Sequence, residues 1–435
     1  MYTKLYQHQI DGLEATKGRN HVAYYWDMGL GKTYEGSEKM MQLGAKVNLV
    51  VCQKSKVEDW LDHFKENYQI NVFDCTVPKH LSTYYGLCMG EKHTVVGVIN
   101  YDLIWRRREL LNLTDFTLIL DESSLIQNEK AKRSKFILKM KPKNVILLSG
   151  TPTGGKYERL WSQMHLLGWD ISKELYWKQF VNVEYMDITS NKSIPIVTGY
   201  KNVERLKRKM NEYGCQFLKT DEVFDLPLQT FQKVRIPASK EYRIFRKDKI
   251  VTFDDPYDVE NGYTLVGDTT LTKMLYERML CGQYSEAKLK AFTDLVESTE
   301  DRLVVFYNFT AELDAMQTAL LNIDFKDYSK RFSVVNGSEK HLKNYEEKSD
   351  SITFIQYQAG AMGLNLQKAN KIIYFTLPLS SELYEQSKKR IHRIGQDQPC
   401  FYYQLIVTGS IEEKIFQTLE MRKDYTEKLF EKDLE

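Results

Sequence analysis

"HVAYYWDMGLGKT" (residues 21–33) decides the class of this fold. Six β-prone, largely apolar residues run into a turn holding two glycines, and helical spacing follows from Lys32. A strand that feeds a glycine turn opening a helix is the entry of an α/β unit. Further short apolar runs repeat the theme: "NLVVC" (48–52), "TVVGVI" (94–99), "TLILDE" (117–122) and "VILLSGT" (145–151). A second series follows: "RLVVFY" (302–307), "RFSVV" (331–335), "ITFIQY" (352–357), "KIIYF" (371–375) and "CFYYQLIV" (400–407). Apolar strands alternating with helices predict parallel sheets covered on both faces, and two series predict two doubly wound α/β lobes.

The length of 435 residues exceeds one ordinary core and agrees with more than one domain. A proline in "DLPLQT" (225–230) interrupts the helical pattern and sets the expected boundary: a first lobe over 1–228 and a second over 229–435. Helical insertions are expected at about 165–215 and, mixed with the polar stretch "TFDDPYDVENGYTLVGD" (252–268), at about 240–298. The 61 basic and 59 acidic residues leave a net charge of +2, so any nucleic-acid surface must be local. The six cysteines form no CxxC pair, which argues against metal knuckles and for a reducing compartment. The first twenty residues lack the apolar stretch of a signal peptide, and no apolar run is long enough to span a bilayer. The expectation is a soluble intracellular protein with no membrane association.

The glycine turn has the chemistry of a phosphate site. Met28, Gly29, Leu30 and Gly31 supply backbone N–H groups that can turn inward, and the following helix adds positive potential at its first turn. Lys32 is expected on the β/γ-phosphates and the Thr33 hydroxyl on Mg²⁺. The usual glycine five residues before Gly31 is Trp26 here. A nucleotide site also needs an acidic partner. "TLILDESSLIQN" (117–128) ends an apolar run in Asp121 and Glu122. Alone, it reads equally as a solvated acidic turn; beside the phosphate loop, Asp121 becomes a Mg²⁺ holder through water and Glu122 the base that orients the attacking water. Ser123 and Ser124 lack a G-x-S-x-G elbow, so a serine nucleophile is not supported.

With these motifs the chain resembles the Snf-type (SWI/SNF-related) DNA translocases of the superfamily 2 helicase-like ATPases, in a compact bacterial or phage-like form. "LYQHQIDGL" (5–13) resembles the glutamine motif, implying that Gln9 reads the adenine edge. "NLVVCQKSKVEDW" (48–60) and "GVINYDLI" (97–104) resemble motifs that touch the nucleic-acid backbone. "LLSGTPTGG" (147–155) resembles the motif coupling hydrolysis to DNA contact, with Ser149 and Thr151 as its hydroxyls. "FLKTDEVFDLP" (217–227) is similar to the basic segment leading into the second lobe, and "VVFYNFTAELD" (304–314) to the fourth motif. "QAGAMGLNLQKANKIIYF" (358–375), with Gly363 and Asn365, resembles the fifth. "QSKKRIHRIGQ" (386–396) is similar to the closing motif, giving Gln386 a coupling role and implying that Arg390 and Arg393 are arginine fingers. The resemblance implies RecA-like lobes, ATP and Mg²⁺, and hydrolysis in an inter-lobe cleft. Three positions depart from the family: DESS replaces DEAH or DEGH, placing Ser124 at the histidine that in the family helps link the ATP site to the third motif, a coupling position like Gly363 and Asn365; Gln358 stands where an arginine is common; and Lys389 where an aspartate is common.

The implied partner is double-stranded DNA gripped without sequence preference by a monomer in the cytoplasm of a bacterium or phage-infected cell. The basic clusters "RRR" (106–108), "EKAKRSKFILKMKPK" (129–143) and "RLKRK" (205–209) are candidate contacts, led by Lys130, Lys132, Arg133 and Lys135, together with Gln358 of the second lobe. A strand-separating DNA or RNA helicase, and a weakly catalytic ATP-switched DNA-binding scaffold suggested by DESS and Gln358, are the alternatives.

Overall fold

The computed structural model describes residues 4–90, 94–189, 192–253, 263–360 and 363–430. Contacts divide the chain into two compact units, Met1–Phe224 and Asp225–Arg422, with the residues from Lys423 grouped with the first. No helix among the described residues is long and apolar enough to cross a membrane.

The first unit holds β1 (His21–Trp26), β2 (Val47–Cys52), β3 (Asn71–Asp74), β4 (Val95–Asn100), β5 (Thr117–Asp121), β6 (Asn144–Leu148), β7 (Val181–Thr189), β8 (Lys192–Tyr200) and β9 (Cys215–Leu218). Seven of them form one sheet in the order β3-β4-β2-β5-β6-β1-β9, and every pairing within it is parallel. Side chains alternate across a strand, so each strand feeds two cores. Ala23, Tyr25, Leu49, Leu118, Leu120 and Leu147 pack into one. Tyr24, Trp26, Val50, Ile119, Ile146 and Leu148 pack into the other. This two-sided burial explains why the strands read as continuous apolar runs rather than as alternation.

The second unit repeats the plan with β10 (Gln229–Ile236), β11 (Ile250–Phe253), β12 (Tyr263–Val266), β13 (Leu303–Tyr307), β14 (Phe332–Val335), β15 (Lys340–His341), β16 (Ile352–Gln356), β17 (Lys371–Tyr374) and β18 (Cys400–Val407). The sheet order is β10-β18-β17-β13-β16-β14-β15, parallel except for the short edge strand β15. Val305, Phe354 and Ile373 face one core and Val304, Ile355 and Ile372 the other. Two doubly wound parallel sheets are therefore the architecture.

Both expected insertions contain strands. The stretch expected as helical, about 165–215, carries the antiparallel hairpin β7–β8 between the helices Lys173–Phe180 and Val203–Glu212. Its β-branched "VNV" and "IPIV" have a period of two, which overrides the helical spacing on either side. In the second insertion β11 and β12 form a hairpin among the helices Lys240–Asp248, Thr270–Cys281 and Glu286–Glu297. Most of the polar stretch 252–268 lies outside the described residues. The strands β3, β9 and β10, which no apolar run announced, are all at or next to a sheet edge. Edge strands bury less, so their sequences carry a weaker hydrophobic signal.

Candidate functional site

The phosphate loop leaves β1 and ends at the helix Lys32–Leu43. Gly29 (φ 91°) and Gly31 (φ 72°) take left-handed backbone, the conformation glycine adopts without steric cost. At Gly31 space is closed as well: a Cβ there would stand 2.5 Å from Gln9 Nε2. Gln9 is buried, donates to Gly31 O at 3.1 Å and accepts from Tyr6 N at 2.8 Å. It thus braces the loop itself. His8 contacts Leu30 O at 3.0 Å, and Leu30 is buried. Lys32 Nζ donates to the carbonyls of Trp26 (2.8 Å) and Asp27 (3.0 Å), closing the loop on its own backbone. Met28 and Thr33 complete the loop, Thr33 in the first turn of the helix.

Trp26, at the position usually glycine, is the last residue of β1 and its ring is buried. It packs edge-on against Tyr24 (5.2 Å) and His8 (5.7 Å). Gly12 makes the room, since a Cβ there would meet the indole at 2.5 Å. The departure from the usual pattern is absorbed by the core behind the loop, and the two glycines that shape the loop remain.

Asp121 ends β5, two strands from β1 in the sheet. Trp60 Nε1 donates to Asp121 Oδ2 at 2.8 Å. Burial raises the Asp121 pKa above the ordinary carboxylate value, while that hydrogen bond and the Lys32 charge pull it down. Tyr101 Oη holds the Asp121 carbonyl at 2.9 Å. Glu122 sits in left-handed backbone (φ 53°, ψ 58°), which costs a non-glycine residue about 1–2 kcal/mol. Strain of this kind is kept where a side chain must be aimed. Ser149 Oγ donates to Glu122 Oε2 at 3.3 Å and accepts from Thr151 N at 3.2 Å. A Cβ on Gly150 would lie 3.2 Å from Met28 Cγ and 3.6 Å from Lys32 Nζ, so the loop after β6 leans on the phosphate loop. Gln9, 28–33, Asp121, Glu122, Ser149 and Thr151, distant in sequence, converge at one end of the sheet. Ser124 is buried beside them.

In the second unit the fifth and closing motifs are bonded to each other. Leu366 N donates to Arg390 O at 3.0 Å, and Arg393 reaches Leu364 O at 3.5 Å. Gln396 Nε2 lies within 3.2 Å of the carbonyls of Gln367, Ala369 and Ile391. His392 Nε2 contacts Pro227 O at 2.9 Å. Arg390 and Gln386 are buried, and burial holds the half-buried Arg393 guanidinium below its ordinary pKa. Gly363 (φ 71°) turns the loop, and Asn365 and Gln358 are exposed. Ala361 and Met362 of the fifth motif lie outside the described residues.

Two basic clusters separated in sequence meet at Trp105, where Arg106 lies 4.9 Å and Lys132 4.6 Å from the ring centroid. Lys130, Lys132 and Lys135 are exposed. Arg133 is engaged structurally, donating to Leu125 O (2.9 Å) and Asp102 (3.1 Å). In 205–209, Lys207 is buried against Glu204 and Lys209 pairs with Glu212. Arg205 and Arg208 are the exposed cations of that cluster. Sequence reasoning passed over Trp60, Tyr101 and Gln396 as site residues. Their signal is only that each is a donor, and their acceptors are set by the fold.

Residues 25–285 match the family model of the SNF2-related domain, and residues 287–395 that of the helicase conserved C-terminal domain. The chain is 24% identical over 463 residues to the "SWI/SNF-related matrix-associated actin-dependent regulator of chromatin subfamily A member 1" of Mus musculus, covering 96% of this chain and 41% of the mouse protein. It is 23% identical over 418 residues to the "Uncharacterized ATP-dependent helicase YqhH" of Bacillus subtilis (strain 168), covering 90% of this chain and 73% of that protein. The chain thus spans about two fifths of the mouse relative's length and most of the Bacillus one. Among solved structures, the "Sulfolobus solfataricus SWI2/SNF2 ATPase core in complex with dsDNA" matches with a TM-score of 0.45 and 19% identity, covering 98% of this chain and 92% of that one.

Proposed function

The chain belongs to the SNF2-related family, and from that membership we propose that it is an ATP-hydrolysing motor that moves along double-stranded DNA in the cytoplasm. The observation that carries this reading is the convergence of Lys32, Asp121, Glu122 and Ser149 beside a loop of two left-handed glycines. On nucleotide binding Lys32 exchanges the Trp26 and Asp27 carbonyls for phosphate oxygens, and backbone N–H groups of 29–33 take the remaining charge. Gln9 must release Gly31 O or Tyr6 N to meet the adenine edge.

The residues present fit Mg²⁺. Thr33 and Asp121 supply hard oxygen donors, and no group of three or more His, Cys, Asp or Glu that could hold a metal occurs among the described residues. A cation held by one carboxylate, a hydroxyl, phosphate oxygens and water is the usual Mg²⁺ arrangement. Glu122 orients the attacking water and takes its proton. Ser149 touches Glu122, so a shift of the loop after β6 is felt at the base. Arg390 and Arg393 stabilise the transferring phosphoryl, and the exposed Lys130, Lys132 and Lys135, with Arg106, grip DNA phosphates.

The test is the ATPase rate with and without duplex DNA. Stimulation in the wild-type protein, lost in Lys32→Ala and Glu122→Gln, supports the motor. A basal rate that duplex does not change overturns it. A strand-displacement assay then separates movement along duplex from strand separation.

A further inference from the structure

We propose that Ser123 and Gln163 form a buried hydrogen-bonded relay between the acidic box and the loop after β6, and that it carries the coupling for which the box lacks its histidine. The inference rests on the motor reading above and names two positioning residues within it. Ser123 Oγ donates to Gln163 Oε1 at 2.7 Å, Tyr25 Oη donates to the same oxygen at 3.0 Å, and Gln163 Nε2 donates to Pro152 O at 2.8 Å. Ser123, Tyr25 and Gln163 are all 0% exposed.

The direction of each bond follows from the chemistry. Pro152 O only accepts, so the amide nitrogen must face it and the amide oxygen must face the two hydroxyls, which then both donate. One glutamine, from the short helix Trp161–Leu166, therefore ties together the end of β1, the residue after Glu122 and the loop after β6. Pro152 is two residues from Gly150, which lies against Met28 and close to Lys32. A displacement of that loop reaches Glu122 by two routes: directly through Ser149 at 3.3 Å, and through Pro152, Gln163 and Ser123 by shorter bonds in a site closed to water. Buried and bonded at both ends of the amide, such a network is stiff, and losing Gln163 would leave the Ser123 and Tyr25 hydroxyls without this acceptor. The serine after Glu122 stands where the family box has alanine or glycine, so its hydroxyl is an addition that comes with the lost histidine.

The experiment compares Ser123→Ala, Gln163→Met and the double variant with the wild-type full chain. It measures basal ATPase, ATPase across a duplex-DNA titration, and thermal melting. The relay requires basal kcat, the KM for ATP and the DNA concentration for half-stimulation to stay near wild type, while the stimulated kcat falls by about tenfold, the factor one buried hydrogen bond carries. The double variant should fall no further than the singles, because either one breaks the same path. If melting shows Gln163→Met unfolded, Ser123→Ala alone decides. Wild-type-like stimulation in Ser123→Ala overturns the relay and leaves the motor reading standing. An unstimulated wild-type protein overturns both.

Discussion

Trp60 donates its indole N–H to Asp121 Oδ2 at 2.8 Å across 61 residues of sequence. The bond favours the charged carboxylate, against a burial that favours the neutral acid. Its loss in Trp60→Phe raises the Asp121 pKa further. The acid limb of the ATPase pH profile should then move upward. An unmoved limb would show that Asp121 ionisation does not limit turnover.

The two loop glycines should respond differently. Gly31→Ala meets Gln9 Nε2 at 2.5 Å and also pays the left-handed backbone penalty of about 1–2 kcal/mol. Gly29→Ala pays only the backbone term, because no atom lies within 4 Å of its Cβ. ATP affinity measured by nucleotide titration should fall further in Gly31→Ala. Equal losses would exclude the Gln9 contact as the cause.

Glu35, on the helix after the loop, is pushed up to about 9 by burial, against the Tyr24 hydroxyl and the Lys39 ammonium. Between 4.5 and about 9 the folded protein keeps a proton there that the unfolded chain releases. Stability therefore falls as pH rises through that window. Glu35→Gln removes the slope, so its Tm relative to wild type should climb steadily from pH 5 to pH 8. A constant difference across that range would place the pKa near its ordinary value.

Arg393→Ala should abolish DNA-stimulated turnover while nucleotide binding, read by a fluorescent ATP analogue, persists. Loss of binding alone would argue against a role in the transition state. Gln396→Ala acts differently, since it removes a donor shared by three carbonyls. It should lower stability by about 1–3 kcal/mol in thermal or denaturant unfolding. A wild-type Tm in Gln396→Ala would dismiss the clamp.

Both sheets were legible in the sequence because a strand buried on two faces writes its environment locally, as in "NLVVC" and "RLVVFY". The edge strands β3 and β10 and the hairpin β7–β8 were not, because partial burial leaves a weak or mixed signal. The candidate site divides the same way. "GLGKT" and the acidic pair declare their chemistry through residue type and spacing along a few residues. Which donor reaches Asp121, which carbonyls Gln396 holds, and that Ser123 faces a glutamine 40 residues away are properties of chain segments brought together by the sheet order. Local periodicity is set by burial at each residue in turn, and it determined the two sheets, while residue type and spacing marked the glycine turn. A hydrogen bond between distant segments leaves no periodic trace, so the partners that hold and couple the site were decided only by the tertiary structure.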